Sequence, residues 1–317
     1  MNFHRLIIAL VLAVLALPAC QSQADSQSKK ENKQPSLSIQ EVADGIYVHT
    51  GQHLPLDSPE SDDIANIGFI VGEECVAVID TGGSVEIGRQ LHQTIKATTD
   101  VPVCYVIDTH VHYDHLLGNL AFQQPDVKFI GHEKLPGALA TSKAFFQEQF
   151  PQYLGDQPAV AIIPPDQTVS ASRTIDLGNR EIKIQAWPSG HTSNDLTVYD
   201  RRTRTLWAAD LLFMEHIPTL DASLKGWLNT LDKLEQIPAK RVVPGHGPAS
   251  APWPAATKDL RRYLKTLLEE TRAAIQAGKF LDTAMDTVAQ EEAAKWQLAD
   301  QHHRRNVSRA YRELEWE

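Results

Sequence analysis

His110-Val-His112-Tyr-Asp114-His115, one residue beyond the apolar run from Val101 to Asp108, decides how this 317-residue chain is read. The run is short, β-branched and bounded by Asp100 and Pro102, which predicts a buried strand. His110 and His112 stand two apart, so in extended chain they leave on the same side and can grip one ion together. Asp114 and His115 come as the chain leaves that geometry, just before a short helical stretch predicted over residues 116–122. They aim elsewhere, toward a second ion. Further donors follow at wide intervals: His191 in SGHT, Asp210 closing LWAAD and His246 in PGHG.

This set of nitrogen and oxygen donors is larger than one tetrahedral zinc ion uses. It divides into two metals sharing a carboxylate: His110, His112 and His191 on the first, Asp114, His115 and His246 on the second, and Asp210 bridging. Imidazole and carboxylate without thiolate suit zinc, and also iron or manganese. Zn(2+), two per chain, is the expected cofactor.

The arrangement resembles the metallo-β-lactamase superfamily, whose H-x-H-x-D-H motif matches residues 110–115 and whose later ligands match His191, Asp210 and His246. The stretch from Val76 to Gly83, a strand ending in Asp80 and a glycine turn, is similar as well. Within the superfamily, residues 186–200, 206–228, 241–248 and 305–317 resemble the quinoprotein relay system zinc metallohydrolases. That resemblance implies an αββα sandwich, an α/β fold of two mixed sheets packed face to face with helices outside. It also implies work beside a periplasmic quinoprotein dehydrogenase.

The N-terminus gives an address. Arg5 precedes an apolar run from Leu6 to Leu17, shorter than the ~20 residues that span a bilayer, and Leu17-Pro-Ala-Cys20 closes it. This describes a secretory signal over residues 1–19 and resembles a bacterial lipobox, with Cys20 lipidated as the membrane anchor. Ser22, where no aspartate stands, favours sorting to an outer membrane by the same resemblance. Residues 20–36 are polar and read as a flexible tether. The metallo-β-lactamase-like domain is expected over 37–250. A helical extension over 251–317 follows, with Leu260, Tyr263, Leu264, Leu267 and Leu268 making one apolar face. Outer helices packed on the sandwich are the favoured reading; a partner surface of Trp253, Trp296, Tyr311 and Trp316 is the alternative. His302 and His303, in a basic helical stretch, are expected to be exposed.

Removing the signal takes the formal charge from −10 to −11, since Arg5 is lost and no acid. That acidity argues against nucleic-acid binding, which wants clustered cations, and says nothing positive about the substrate; a small molecule is the expected one. Cys75 and Cys104 sit in or beside apolar strands expected to be neighbours; a disulfide and two buried thiols both remain open.

The chemistry implied is hydrolysis of an ester, thioester, lactone or amide by metal-bound hydroxide, with Asp114 orienting the nucleophile as the catalytic residue. β-Lactam cleavage is a side activity at most, because Asp210 stands where β-lactamases of the superfamily often carry cysteine, and Phe213 where a lysine follows. The rivals are a mononuclear iron sulfur dioxygenase and a metal-binding accessory of a periplasmic redox system. Asp80 is the first candidate to support a metal histidine, with Asp108 behind it. His132 reads as structural. Thr192, Ser193 and Asn194 could touch substrate, and His53, Glu215 and His216 could form the rim.

Overall fold

The computed structural model describes residues 36–317. The expected signal, Cys20 and all but the last tether residue lie outside the described residues.

Short apolar runs, buried along nearly their whole length over Ile67–Val71 and Val76–Ile79, produce the first strands. β1 (Gln40–Ala43), β2 (Ile46–His49), β3 (Ile67–Val71) and β4 (Val76–Ile79) pair antiparallel in sequence order. α1 (Val85–Thr98) then crosses back, and its start is fixed as its sequence predicts: the Ser84 side chain accepts from the Ile87 amide at 3.1 Å. β5 (Val103–Ile107) is the strand leading to the histidine motif. The short helix falls earlier than expected: α2 (Tyr113–Leu116) already contains Asp114 and His115, and a 3₁₀ turn covers Asn119–Phe122. β6 (Lys128–His132), α3 (Leu135–Gln149) and β7 (Gln167–Val169) complete this half. β4 through β7 pair in parallel, giving a seven-stranded sheet in the order β1 to β7.

The second sheet is a meander of β8 (Ser172–Asp176), β9 (Glu181–Ala186), β10 (Leu196–Asp200) and β11 (Thr205–Phe213). α4 (Leu224–Leu234) crosses to β12 (Arg241–His246), parallel to β11, and β13 (Ala251–Pro252) pairs antiparallel beyond it. The sheet therefore runs past residue 250 before the helical segments begin. These are α5 (Lys258–Gln276), α6 (Leu281–Thr287), α7 (Gln290–Ala293) and α8 (Ala299–Leu314).

Three apolar layers hold the fold. Ile79, Ile107 and Ile130 of the first sheet meet Ile184, Val198 and Trp207 of the second. Leu91 and Ile95 of α1 cover the outer face of the first sheet. α4, α5 and α8 cover the second through Trp227, Leu231, Leu264 and Val307. Each such side chain contributes about 1.5–3 kcal/mol by leaving water. This is the αββα sandwich, with its C-terminal helices in the outer layer.

Across the sheets, Arg180 donates to both oxygens of Asp200 at 3.0 and 3.1 Å and to the carbonyls of Val71 and Asp44, all from a buried position. Cys75, immediately before β4, and Cys104 of the adjacent strand β5 form a disulfide. Trp253 and Trp296 are buried in the helical layer, whereas Trp316 is exposed. The expected exposure of His302 and His303 is corrected: both are buried. His303 sits between the Tyr263 hydroxyl of α5 and the Val288 carbonyl. The local run of arginines concealed the face these imidazoles turn inward.

Candidate metal centre

The ligand-bearing segments all leave their strands at one edge of the sandwich. His110 follows β5, Asp210 lies within β11, His246 ends β12 and His191 sits between β9 and β10. Asp210 is aimed inward by a register shift between Trp207 and Ala209, and Ala209 adopts φ +46°. Only glycine fits across from it: a Cβ on Gly245 would lie 1.8 Å from Asp210 Oδ1 and 2.8 Å from the Ala209 carbonyl carbon. That is the physical reason for glycine before His246.

Hydrogen bonding on the outer side of each ring fixes which nitrogen faces inward. His115 Nδ1–H donates to Asp80 Oδ2 at 2.8 Å. His191 Nδ1–H donates to the Thr219 carbonyl at 2.7 Å, and His246 Nδ1–H to the Ile64 carbonyl at 2.8 Å. His112 Nε2–H donates to Asp221 Oδ2 at 2.7 Å. The Thr109 hydroxyl gives its proton to Asp80 Oδ2, so at 3.0 Å it accepts from His110 Nδ1–H. Each imidazole therefore presents a bare lone pair to the interior, where the carboxylates of Asp114 and Asp210 also point.

Those inward atoms crowd one another. His112 Nδ1 lies 3.0 Å from both His110 Nε2 and His191 Nε2, and Asp210 Oδ2 lies 3.2 Å from His191 Nε2. On the other side, Asp114 Oδ2 is 3.5 Å from His115 Nε2 and 3.4 Å from His246 Nε2. Asp210 faces both sets, with Oδ1 3.1 Å from His115 Nε2. Both of these last atoms are buried without a hydrogen-bond partner. Acceptors facing acceptors at such distances repel unless a cation lies between them. Donors around a tetrahedral ion with ~2.0–2.1 Å bonds stand about 3.4 Å apart, which is the spacing seen. The residues thus form two groups able to hold a metal: His110, His112, His191 and Asp210, and Asp114, His115 and His246.

The electrostatics agree. Burial alone would push the Asp210 carboxyl up, but the imidazoles of His115, His246, His110 and His191 hold it well below the usual carboxylate range. Against the effect of burial, Asp210, Asp114 and Asp80 hold the His115 imidazole well above its ordinary value. The position attracts positive charge. Burial pushes the His216 and His302 rings down, to about 2 and about 4, so both are neutral beside the centre.

Asp80 occupies the supporting place foreseen for it. Asp108 is one step further back, accepting both 3.0 Å bonds from Asn119 Nδ2. His132 accepts from the Lys134 amide, a structural role. Thr192 bonds to Asp195 rather than facing the cavity. Of the rim candidates, His216 lines the cavity over the centre, while His53 bonds to Gln297 to one side. Sequence reasoning missed the C-terminal contribution. Arg305 of α8 pairs with Asp221 Oδ1, the carboxylate that orients His112. Asn306 also accepts from the Leu220 amide and donates to the Pro218 carbonyl, fixing the segment that carries Asp221.

A family model of the metallo-beta-lactamase superfamily matches residues 61–246. The chain belongs to that superfamily. It is 27% identical to a beta-lactamase-like protein 2 homolog of Caenorhabditis elegans over 49% of this chain and 46% of that one. To a linear primary-alkylsulfatase of a Pseudomonas species it is 24% identical, over 65% of this chain and 44% of that one. The chain spans about half the length of the curated relatives it matches. A metallo-beta-lactamase from Pontibacter korlensis shares the fold with a TM-score of 0.59 at 23% identity, over 73% of this chain and 99% of that one.

Proposed function

We propose that the protein is a dinuclear zinc hydrolase that cleaves an ester, thioester, lactone or amide. The observation that carries this is the convergence of five histidine lone pairs and two carboxylates with no hydrogen between them. Two divalent ions held there would supply Lewis acidity and lower the pKa of a bound water toward ~7. His110, His112 and His191 would hold one ion, Asp114, His115 and His246 the other, with Asp210 between.

The chain's own residues do the rest. Asp114 lines the cavity and is almost fully buried, so its carboxylate can orient a water and take up its proton. Phe213, stacked on His246 with ring centroids 4.8 Å apart, keeps bulk water from the inner wall. The outer-side hydrogen bonds hold every imidazole in the tautomer that binding requires.

The test is a hydrolysis panel of a thioester, a lactone, an aryl ester, a β-lactam and an alkyl sulfate, the last because of the alkylsulfatase relative. The zinc-loaded protein should turn over at least one acyl substrate, and Asp114→Ala should abolish that turnover while retaining the thermal melt. Turnover that survives in Asp114→Ala would refute the mechanism. The proposal also takes in a lipid anchor at Cys20 in the periplasm, supported by Arg5 and the run from Leu6 to Leu17, and work beside a quinoprotein dehydrogenase.

A further inference from the structure

The cavity over the centre has two unlike kinds of lining: Leu54, Leu56, Tyr113, Phe145 and Phe150 are aliphatic or aromatic, and Arg305 is cationic. The Tyr113 and Phe150 rings stack with centroids 4.1 Å apart, and Phe145 meets Phe150 edge-on at 6.0 Å. Leu56 and Phe145 are 46% and 55% exposed at the mouth, an apolar surface left facing solvent.

Arg305 is the Lys or Arg side chain lining this cavity among the described residues. It gives one Nη to Asp221, whose other oxygen is already taken by His112, and it is half exposed. A guanidinium carries five donors in a fixed fork, so most of its capacity remains for an anion. The cavity encloses about 180 Å³. A space of ~150 Å³ accommodates benzene, so the cavity takes one ring-sized group.

We propose that the substrate is a small anionic acyl compound with a ring-sized apolar group. That group lies on the Tyr113–Phe150 wall while its anionic group pairs with Arg305 of the C-terminal helix. The inference rests on the hydrolase reading of the site and adds the substrate class. Arg305 lies outside the segment that the family model matches, so the selectivity belongs to this chain's own C-terminal helix.

Calorimetric binding of 3-phenylpropionate, 3-phenylpropan-1-ol and propionate to the metal-loaded full chain tests it without any turnover. 3-Phenylpropionate should bind at least about tenfold more tightly than either of the others, as charge-assisted hydrogen bonds and a buried ring predict. Arg305→Gln, loaded to equal metal content, should reduce 3-phenylpropionate to the level of the alcohol and leave the alcohol unchanged. Arg305→Lys should keep most of the preference. Phe145→Ala should weaken both aryl ligands and spare propionate. Propionate binding as tightly as 3-phenylpropionate would overturn the proposal, as would Arg305→Gln weakening all three alike or none. Failure of the hydrolase reading would appear elsewhere, as absent metal or absent turnover.

Discussion

Replacing Asp80 by asparagine tests how the centre is held together. Asp80 is fully buried and accepts from the Thr109 amide, the Thr109 hydroxyl and His115 Nδ1–H, each at 2.8 Å. Asparagine offers one acceptor oxygen and one NH₂ donor. Its carbonyl can keep the Thr109 amide, which leaves the NH₂ facing two other donors. His115 relieves the conflict by moving its proton to Nε2, and the lone pair facing Asp210 Oδ1 is lost. Altering such an outer partner typically costs 10–100-fold in metal affinity, roughly 1.4–2.7 kcal/mol. Losing the charged acceptor costs about 1.5–3 kcal/mol of fold stability besides. Competition with a chromophoric chelator should resolve two zinc-binding steps in the parent chain. In Asp80→Asn the step that depends on His115 should weaken 10–100-fold, and the one that depends on His110, whose Thr109 partner also loses its acceptor, should weaken as well. Two unchanged steps in a folded variant would refute the tautomer argument.

Other consequences follow from single contacts. Gly245→Ala forces a methyl onto Asp210 and the backbone behind it; it should lose metal and about 1–3 kcal/mol of stability in a denaturant melt, and parental metal content would contradict the close approach. Arg180→Ala leaves Asp200 buried without its partner and should cost about 3–5 kcal/mol; a loss below 1 kcal/mol would show that the pair does not staple the sheets. His303 is buried as the neutral ring, and burial lowers its pKa below the ordinary value. The unfolded imidazole therefore takes up its proton first, near pH ~6.5, so this contribution is full above that pH and is lost as pH falls. The melting temperature should drop less between pH 7.5 and 5.5 in His303→Gln than in the parent, by the same linkage; parallel slopes would exclude the histidine. Cys20→Ser should move the protein out of the membrane fraction, and unchanged fractionation would remove the lipid anchor.

Much of the sandwich is legible because strands and helices announce themselves locally. The run into β5, the alternation in β9 and the leucine face of α5 each carry their own period. The metal ligands are legible for a related reason: histidine and aspartate cluster at strand ends, where little else explains them. Asp80 could be foreseen from its place at the end of a neighbouring strand. The Asp221–His112 and Arg305–Asp221 contacts could not, since they join residues 109 and 84 positions apart. Asp221 stands two residues before Ser223, the cap of α4, and nothing local to it points to a histidine. The aromatic wall around Phe150 is likewise invisible in α3 alone, because what it faces comes from α2. Burial of His303 depends on α5 and the segment before α7, and His302 packs on His216, so no window of sequence contains the partners of either.

Elemental mass spectrometry on protein purified without added metal tests whether the convergent donors hold two metal ions. It should find about two zinc ions per chain, falling in Asp210→Ala, since a bridging carboxylate would serve both sites. About one iron per chain would point instead to oxygen-dependent sulfur chemistry. A chain that binds no metal even after reconstitution would contradict the account.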